Sequence, residues 1–161
     1  MMIDYRNGIG YDFHRLKKNI PFVLGGVRIP YSKGPLGHSD GDVLLHALVD
    51  ALLGGIAEGD IGSFFSDHDP RWEKADSKIF VEHARKLVKK KKFSVHFVDA
   101  VVLAEKPKLQ PYFVAIRKSL SSLLLIPLSR VSLKAKTAEG VGIIGKGDGI
   151  AAFVSVMLRK T

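Results

Sequence analysis

A single stripe of polar side chains runs along the otherwise apolar segment from His38 to Gly55. Asp42, His46 and Asp50 are spaced at i, i+4 and i+8, which places them on one face of a helix. No Lys, Glu or Arg occurs between His38 and Ala57, so the helix is predicted to be largely buried. Buried carboxylates and imidazoles need partners, and a metal ion or a bound ligand would supply them.

Two further candidate ligands follow the first predicted strand. Asp12 and His14 are one residue apart, so in an extended chain their side chains point the same way. Together with His46 they would form an Asp-His-His set with one open position, which is typical of catalytic zinc. The chain has no cysteine, so zinc could be bound only by His and Asp or Glu. The plainer alternative is that Asp12 caps a turn and His46 is a satisfied core histidine.

Short polar residues also cluster at the start of the predicted helix. Ser39 and Asp42 match a capping-box pattern, which would begin the helix at this point. Free backbone N–H groups at a helix start favour anions, so a phosphate could bind near His38, Ser39 and Asp40. Capping alone explains Ser39 and Asp40 equally well, but it does not explain His38.

Two other segments allow a functional or a structural interpretation. The loop from Asp60 to Pro70 is dense in Asp, Ser, Gly and His, and a turn-rich surface loop is its preferred interpretation. Near the C-terminus, Thr137 and Glu139 precede a glycine-rich stretch that lacks the P-loop pattern. With Lys134, Lys136 and Lys146 they could form a site for a phosphate and a metal ion, or the stretch could be a tight strand connection.

These residues need a scaffold, and strands and helices alternate along the chain. The predicted elements are a strand Ile3–Tyr11, a hairpin Pro21–Pro30 turning at Gly25-Gly26, a helix ending near Gly54-Gly55, a helix from about Asp76 to Lys91, a strand Phe93–Glu105, a helix introduced by Pro107 and Pro111, and strands Arg130–Thr137 and Ile150–Leu158. This order predicts one mixed β-sheet with helices packed on one side.

The composition is that of a globular protein with a basic surface. The chain has 161 residues, is 46% hydrophobic and 25% charged, and carries a formal net charge of +9. No apolar run approaches the roughly 20 residues that a membrane span requires, and the N-terminus lacks the apolar core of a secretory signal. We therefore expect a single domain, residues 1–161, in the cytoplasm and without membrane contact.

Four consecutive lysines, Lys89 to Lys92, contribute to the positive charge. They follow an amphipathic pattern, so a solvated helix end is the preferred interpretation, since cations also suit the macrodipole there. The alternative is a nucleic-acid patch. No interleaved aromatic residues or RNA-binding motif supports that alternative, so no nucleic-acid partner is expected.

Taken together, the motifs of this chain resemble those of one enzyme family. They are Y-D-F-H, G-G-V-R-I-P-Y, H-S-D-G-D-V-x-x-H-A-L-x-D-A-L-L-G, G-D-I-G, D-x-D-P, A-D-S, P-K and G-x-G-x-G-I-A. The family is 2-C-methyl-D-erythritol 2,4-cyclodiphosphate synthase, of the non-mevalonate isoprenoid pathway. The likeness extends in order from about Gly8 to the C-terminus.

The resemblance implies an α/β (two-layer α+β) subunit, three of which form a homotrimer with an active site at each interface. Asp12, His14 and His46 would bind Zn²⁺, and Glu139 would help to hold Mg²⁺ or Mn²⁺ on a diphosphate. His38 and Thr137 would stabilise the transition state. The substrate would be 4-diphosphocytidyl-2-C-methyl-D-erythritol 2-phosphate, whose 2-phosphate attacks the β-phosphorus and expels CMP.

The resemblance also implies a set of substrate-binding positions. Those for the phosphates and the methylerythritol are Asp12, His14, His38, Ser39, Asp60, Ile61, Gly62, Phe65, Ser66, Asp67, His68 and Asp69. Those for the cytidine diphosphate end are Ala104, Glu105, Lys106, Pro107, Lys108, Leu109, Gln110, Lys136, Thr137, Ala138 and Glu139.

Two further positions, Ile143 and Lys146, would line the central cavity of the trimer, where Phe and Arg are usual. In some members of the family that cavity binds an isoprenoid diphosphate. Lysine keeps the charge of arginine but lacks its bidentate fork, so we do not expect regulation through this cavity.

Two other functions remain as alternatives. A zinc phosphohydrolase would use water at the open metal position and would release an open-chain product. A basic nucleic-acid-binding module would bind RNA or DNA in a salt-sensitive way and would not depend on His46.

Overall fold

The computed structural model describes residues 4–66 and 68–161. Its strands are β1 (Tyr5–Lys18), β2 (Phe22–Leu24), β3 (Val27–Ile29), β4 (Lys33–Pro35), β5 (Phe93–Leu103), β6 (Val131–Lys136) and β7 (Gly149–Lys160). Its α-helices are α1 (Val43–Gly55), α2 (Lys78–Lys90), α3 (Phe113–Leu124) and α4 (Gly142–Gly145). Within the described residues, none of these helices is long and apolar enough to cross a membrane.

Five strands form one sheet in the order β4-β1-β7-β5-β6. The pair β5–β6 is parallel and the other neighbours are antiparallel, so the predicted mixed sheet is confirmed. Strands β2 and β3 form the predicted hairpin, with Gly25 and Gly26 at its turn. Helices α1, α2 and α3 pack against the sheet strands β1, β7, β5 and β6.

The core lies between the sheet and this helix layer. Alternate residues of β7, including Ile150, Ala152 and Val154, are buried, and so are Val98 and Ala100 of β5. Nearly all of α1 is buried as well, as predicted from its lack of long charged side chains.

Helix α1 lies directly on β1 because two glycines leave room for it. A Cβ atom added at Gly8 would lie 1.9 Å from the carbonyl oxygen of Ala51, and one added at Gly10 would lie 1.9 Å from that of Ala47. Side chains of a strand alternate between its faces, so the next positions on the helix side of β1 are Asp12 and His14. The same contact that buries α1 therefore brings these two residues to the start of the helix.

Four features differ from the sequence predictions. Strand β1 continues through Asp12 and His14 to Lys18 because it pairs with β7 as far as Arg15 and then with β4. Its predicted start at Ile3 lies outside the described residues. The predicted capping box is wrong, since Asp42 is the N-cap of α1 and accepts a hydrogen bond from the backbone N–H of Leu45. Strand β4 and the short helix α4, inside the glycine-rich stretch, were not predicted.

The opposite face of the sheet exposes a row of large apolar side chains. This outer face comprises Tyr5, Ile9, Tyr11, Phe153 and Met157. Ile9 is 74% exposed, and the rings of Tyr11 and Phe153 lie 4.6 Å apart between centroids. A contiguous apolar surface of this kind marks an interaction site more often than a solvated face.

Candidate active site

Asp12, His14 and His46 bring three ligand atoms to one point, and we call them the ligand cluster. Asp12 Oδ2 lies 2.7 Å from His14 Nε2 and 3.1 Å from His46 Nδ1, and the two nitrogens are 3.2 Å apart. A tetrahedral zinc ion with bonds of about 2.0 Å holds its ligand atoms about 3.3 Å apart. The donor set and its spacing therefore fit a divalent metal such as zinc, and the three residues can bind a metal ion.

Neither structural alternative, a turn-capping Asp12 or a core His46, fits the observed positions of these side chains. Asp12 lies within β1, paired with Ala152, so it does not cap a turn. Its Oδ1 accepts the backbone N–H of Phe13, which leaves Oδ2 for the cluster. His46 is half-buried in α1, and its Nδ1 faces the cluster rather than the core.

Burial and hydrogen bonds together set the charges of the cluster. Burial alone would raise the pKa of Asp12, but hydrogen bonds from His14 and His46 outweigh burial and hold the pKa well below its ordinary value. Burial lowers the pKa of His14, but the Asp12 carboxylate outweighs this effect and raises the pKa above 6.5. The Nδ1–H of His14 donates to the carbonyl of Leu36 at 2.7 Å, so Nε2 is the ring atom that faces Asp12 and the metal position.

The ligand cluster opens into a cavity of about 330 Å³. The cavity is lined by Asp12, His14, Leu36, Gly37, His38, Ser39, His46, Asp50, Ile61, Gly62, Phe65 and Phe80. Eight of these positions were predicted as ligand or substrate positions from the sequence, and the structure brings them together. Their contacts with a substrate stay a prediction.

The start of α1 differs from the expected anion site. Val43, Leu44 and Leu45 are buried, and the Asp42 carboxylate already accepts the N–H of Leu45. The side chains that reach the cavity here are those of His38 and Ser39. His38 Nε2 lies 3.3 Å from the carbonyl of Asp69, so His38 also joins this segment to the following loop.

The loop after α1 is ordered by its own short polar residues. Asp60 caps a short 3-10 helix, Ile61–Ser63, by accepting the backbone N–H of Ser63 at 3.0 Å. Hydrogen bonds from Ser63 lower the pKa of Asp60, and those from Arg71 lower the pKa of Asp69. The predicted contacts Ser66 and His68 are exposed, while Asp67 lies outside the described residues.

A second cavity, of about 360 Å³, lies at the ends of β5 and β6. Its lining residues are Ala104, Glu105, Pro107, Lys108, Leu109, Gln110, Phe113, Ala135, Lys136 and Thr137. Eight of them were predicted for the cytidine diphosphate end, whereas Phe113 and Ala135 were not. Of the remaining predicted residues, Lys106 is exposed, and Ala138 donates its backbone N–H to Glu105 Oε2 at 3.1 Å.

The two cavities lie at the same end of the sheet but share no lining residue. Ala151 of β7 pairs with Phe13 on one side and with Leu103 on the other, so about two strand spacings of 4.8 Å separate β1 from β5. The Thr137 hydroxyl donates to Glu139. Within the described residues, no hydrogen bond joins either of these two side chains to the ligand cluster.

Ile143 and Lys146 lie on or beside α4, and both are exposed. A Cβ atom added at Gly149 would meet both Phe13 and Ile143, so Ile143 lies close to β1. Neither residue lines either of the two cavities described above.

Comparison with known proteins agrees with the sequence resemblance. A family model described as the YgbB family matches residues 5–159. The chain belongs to the YgbB family. The chain is 47% identical over 158 residues to 2-C-methyl-D-erythritol 2,4-cyclodiphosphate synthase of Burkholderia thailandensis, with 98% of each chain covered.

Solved structures of YgbB-like chains have the same fold. The bifunctional IspDF from Campylobacter jejuni superposes with a TM-score of 0.95 at 35% identity, over 99% of this chain and 43% of that longer protein. A CDP-bound form of 2C-methyl-D-erythritol-2,4-cyclodiphosphate synthase superposes with a TM-score of 0.88 at 40% identity, over 95% of this chain and 99% of that one.

Some residues around this YgbB-family site were not predicted as site residues. Asp50 was noted only as part of the helix stripe, although its spacing of four residues from His46 places it over the same cavity. Leu36, Gly37, Phe80 and Phe113 carry no chemical signal in the sequence, because apolar and glycine residues line a cavity only through tertiary packing.

Proposed function

We propose that this chain is a 2-C-methyl-D-erythritol 2,4-cyclodiphosphate synthase. It converts 4-diphosphocytidyl-2-C-methyl-D-erythritol 2-phosphate to 2-C-methyl-D-erythritol 2,4-cyclodiphosphate and CMP. The observation that carries the proposal is the convergence of Asp12, His14 and His46 beside His38 and Ser39 in one cavity. Membership of the YgbB family and the name of the Burkholderia relative support the same reaction.

The reaction joins two ends of one substrate. An oxygen of the 2-phosphate forms a bond to the β-phosphorus, and the bond from that phosphorus to the oxygen of the α-phosphate breaks, so that CMP leaves with the bonding electrons. The attacking phosphate is already ionised at neutral pH, so no strong general base is needed. The difficulty is that one anion must approach another.

The proposed residue roles meet this difficulty. Asp12, His14 and His46 would hold zinc, which supplies positive charge for the phosphate oxygens. His38 and Ser39 would donate hydrogen bonds to phosphate and methylerythritol oxygens, and Thr137 would do the same in the transition state. Holding the two reacting phosphates next to each other in one active site supplies effective molarity, worth up to roughly 7–11 kcal/mol in well-oriented cases.

The cytidine diphosphate end would bind in the second cavity. A CDP-bound relative of similar fold supports a nucleotide ligand for this chain. Lys136 and Lys108 supply positive charge there, and Glu139 would help to hold Mg²⁺ or Mn²⁺ on the diphosphate. These assignments rest on the sequence resemblance and on the residues that line this cavity.

We also propose a homotrimer in which the two cavities of neighbouring subunits form one active site. Two observations support it: Thr137 and Glu139 contact each other rather than the ligand cluster, and the outer face of the sheet is apolar. The cytoplasmic location stays a prediction from the sequence.

Phosphorus NMR of the purified protein with this substrate, Zn²⁺ and Mg²⁺ tests the reaction. We expect CMP and a cyclic diphosphate. CMP with an open-chain product would indicate a zinc phosphohydrolase instead, and no turnover by a folded, zinc-loaded protein would contradict both.

The metal requirement is tested with His46→Ala. This variant should lose zinc and at least about 99% of the activity, because the cluster then has only two ligands. His96→Ala is the control for zinc content, since His96 contacts Tyr5 on β1 and lies outside the cluster. Full activity of His46→Ala without bound zinc would contradict the ligand assignment.

A further inference from the structure

The hydroxyl of Ser77 is buried but does not cap the helix that Ser77 precedes, α2. Ser77 is at the N-cap position, where a serine side chain usually accepts a backbone N–H of the first turn. Here no such side-chain bond forms, although Ser77 is 0% exposed. Its Oγ lies instead 2.9 Å from His46 Nε2 and 2.5 Å from Asp40 Oδ1.

The Asp40 carboxylate determines the direction of these hydrogen bonds. Its Oδ1 accepts the Ser77 hydroxyl and the backbone N–H of Asp42, and its Oδ2 accepts the backbone N–H of Ser77 at 3.2 Å. A carboxylate can only accept, so the hydroxyl proton of Ser77 points to Asp40. The oxygen of Ser77 then presents only lone pairs to His46.

This arrangement selects one tautomer of His46. With Ser77 accepting, Nε2 of His46 must carry a proton, so in the neutral ring the lone pair that a metal needs is on Nδ1. Nδ1 is the atom that lies 3.1 Å from Asp12 Oδ2 in the ligand cluster. His14 reaches the equivalent state through a simpler contact, because the backbone carbonyl of Leu36 accepts its other ring N–H.

Ser39 cannot select this tautomer by itself. Its hydroxyl also lies 2.9 Å from His46 Nε2, but no carboxylate orients it, so it could either donate or accept. Once the Nε2–H group of His46 donates to Ser77, the Ser39 hydroxyl can donate either to Ser77 Oγ, at 3.3 Å, or into the cavity that Ser39 lines. In the second orientation Ser39 offers a donor to a substrate phosphate.

We propose that Asp40 and Ser77 are positioning residues that hold His46 in its metal-binding tautomer and ring orientation. The proposal rests on the proposed function only in that His46 is taken as a zinc ligand. It adds two residues to the site, both at positions that the family resemblance left without a role.

We call the chain of hydrogen bonds from Asp40 through Ser77 to His46 the relay. Zinc affinity, measured by competition with a chromophoric chelator, tests the relay without any substrate. Ser77→Ala should weaken zinc binding by roughly 10- to 100-fold, the usual effect of removing a group that orients a metal ligand. Ser121→Ala, on α3, is the matched control. The half-buried hydroxyl of Ser121 donates to the Ile126 carbonyl at 2.6 Å and forms no hydrogen bond with the relay residues, all of which lie in the described part of the chain. That variant should keep the zinc affinity of the wild type.

The tautomer itself is read by nitrogen-15 NMR of the His46 ring in the zinc-free protein, at a pH at which the ring is neutral. The wild type should carry the proton on Nε2, and Ser77→Ala should show a mixture of tautomers. Asp40→Asn is the second variant, since its amide no longer forces the Ser77 hydroxyl to donate. It should weaken zinc binding and mix the His46 tautomers, as Ser77→Ala should. If Ser77→Ala does not fold, Asp40→Asn tests the proposal in its place.

A zinc affinity within twofold of the wild type, together with an unchanged tautomer, in the folded variant would overturn the relay. Both measurements omit the substrate, so they are independent of the synthase reaction. If the protein bound zinc in this manner but made no cyclic diphosphate, the proposed function would fail and the relay would stand.

Discussion

At the residue scale, the polar stripe along α1 divides into one proposed metal ligand, His46, and two structural carboxylates. Asp42 is 0% exposed and accepts the backbone N–H groups of Gly25 at 2.9 Å, Gly26 at 2.6 Å and Leu45 at 3.1 Å. It thus joins the turn of the β2–β3 hairpin to the start of α1. Asp50 accepts the backbone N–H of Ile61 at 2.8 Å and so holds the loop that follows the helix.

Asp42→Ala should destabilise the protein strongly. The change leaves three backbone donors without their acceptor, at about 1–3 kcal/mol for each one that stays buried, so we expect a loss of about 3 kcal/mol or more. Urea denaturation measures the free energy of unfolding. Asp76→Ala, at an exposed carboxylate beside α2, is the control and should change stability by less than about 1 kcal/mol.

Asp50 should make stability depend on pH in the zinc-free protein. Burial raises the pKa of Asp50 and outweighs the hydrogen bond from Ile61, so the ionised form is disfavoured in the folded state. A raised pKa gives stability that is fully present below the unfolded value of 3.8 and is lost as pH rises through the folded value.

Asp50→Asn removes the charge, and its amide oxygen can still accept the Ile61 N–H. The variant should therefore be more stable than the wild type at pH 7; the difference should shrink as the pH falls through the raised pKa of folded Asp50 and should be gone below about 4. Urea titrations from pH 3 to pH 8 in the presence of EDTA would measure this. A variant less stable than the wild type at pH 7 would contradict the assigned cost of burying Asp50.

At the element scale, the contact between β1 and α1 places the ligand cluster. Gly8 and Gly10 let the helix backbone approach the strand, and the same helix face of β1 continues into Asp12 and His14. Any side chain at Gly10 would push α1 away from the strand, and His46 would move with it.

Gly10→Ala should therefore affect stability and zinc binding together. The added Cβ would meet backbone atoms of Ala47, which cannot rotate away, so we expect a loss of about 2–3 kcal/mol or more and a zinc affinity at least tenfold weaker. Thermal unfolding and chelator competition measure the two effects.

Gly54→Ala is the matched control in the same pair of elements. Its Cβ would lie 3.8 Å from the nearest atom, the carbonyl oxygen of Ile9, so alanine fits without displacement. Because alanine favours helix, this variant should be as stable as the wild type or up to about 1 kcal/mol more stable. A Gly10→Ala protein that behaved like Gly54→Ala would show that the close contact does not position the cluster.

At the scale of the whole molecule, α1, α2 and α3 cover one face of the sheet. The helix layer buries one side, whereas the outer face keeps Tyr5, Ile9 and Tyr11 of β1 exposed next to Phe153 and Met157 of β7. The proposed trimer would bury this face and bring the second cavity of one subunit to the ligand cluster of another.

Ile9→Asp should convert the trimer to monomers, because a carboxylate would have to be buried without a partner at the subunit interface. Sedimentation equilibrium measures the mass. The monomer should keep its zinc, since the whole ligand cluster belongs to one chain, but should lose synthase activity. Ile79→Asp, at a 49% exposed position on α2 in the helix layer, is the control and should stay trimeric. A trimeric, fully active Ile9→Asp protein would contradict the proposed assembly.

The sequence by itself determined the local elements and the ligand candidates. Helical spacing identified the face that carries His46, and strand alternation placed Asp12 and His14 on one side, because both periodicities depend only on neighbouring residues. The absence of long charged side chains in the segment before Ala57 predicted that α1 is buried, and the structure confirms this.

The tertiary structure alone decided which distant residues meet. Asp42 was predicted to belong to a capping box, but its partners include Gly25 and Gly26, which come from a separate hairpin. Ser77 reaches His46 from 31 residues away in the chain. Pairing along β7 extends β1 past its predicted end. Such contacts depend on how strands and helices pack, and no local periodicity encodes them.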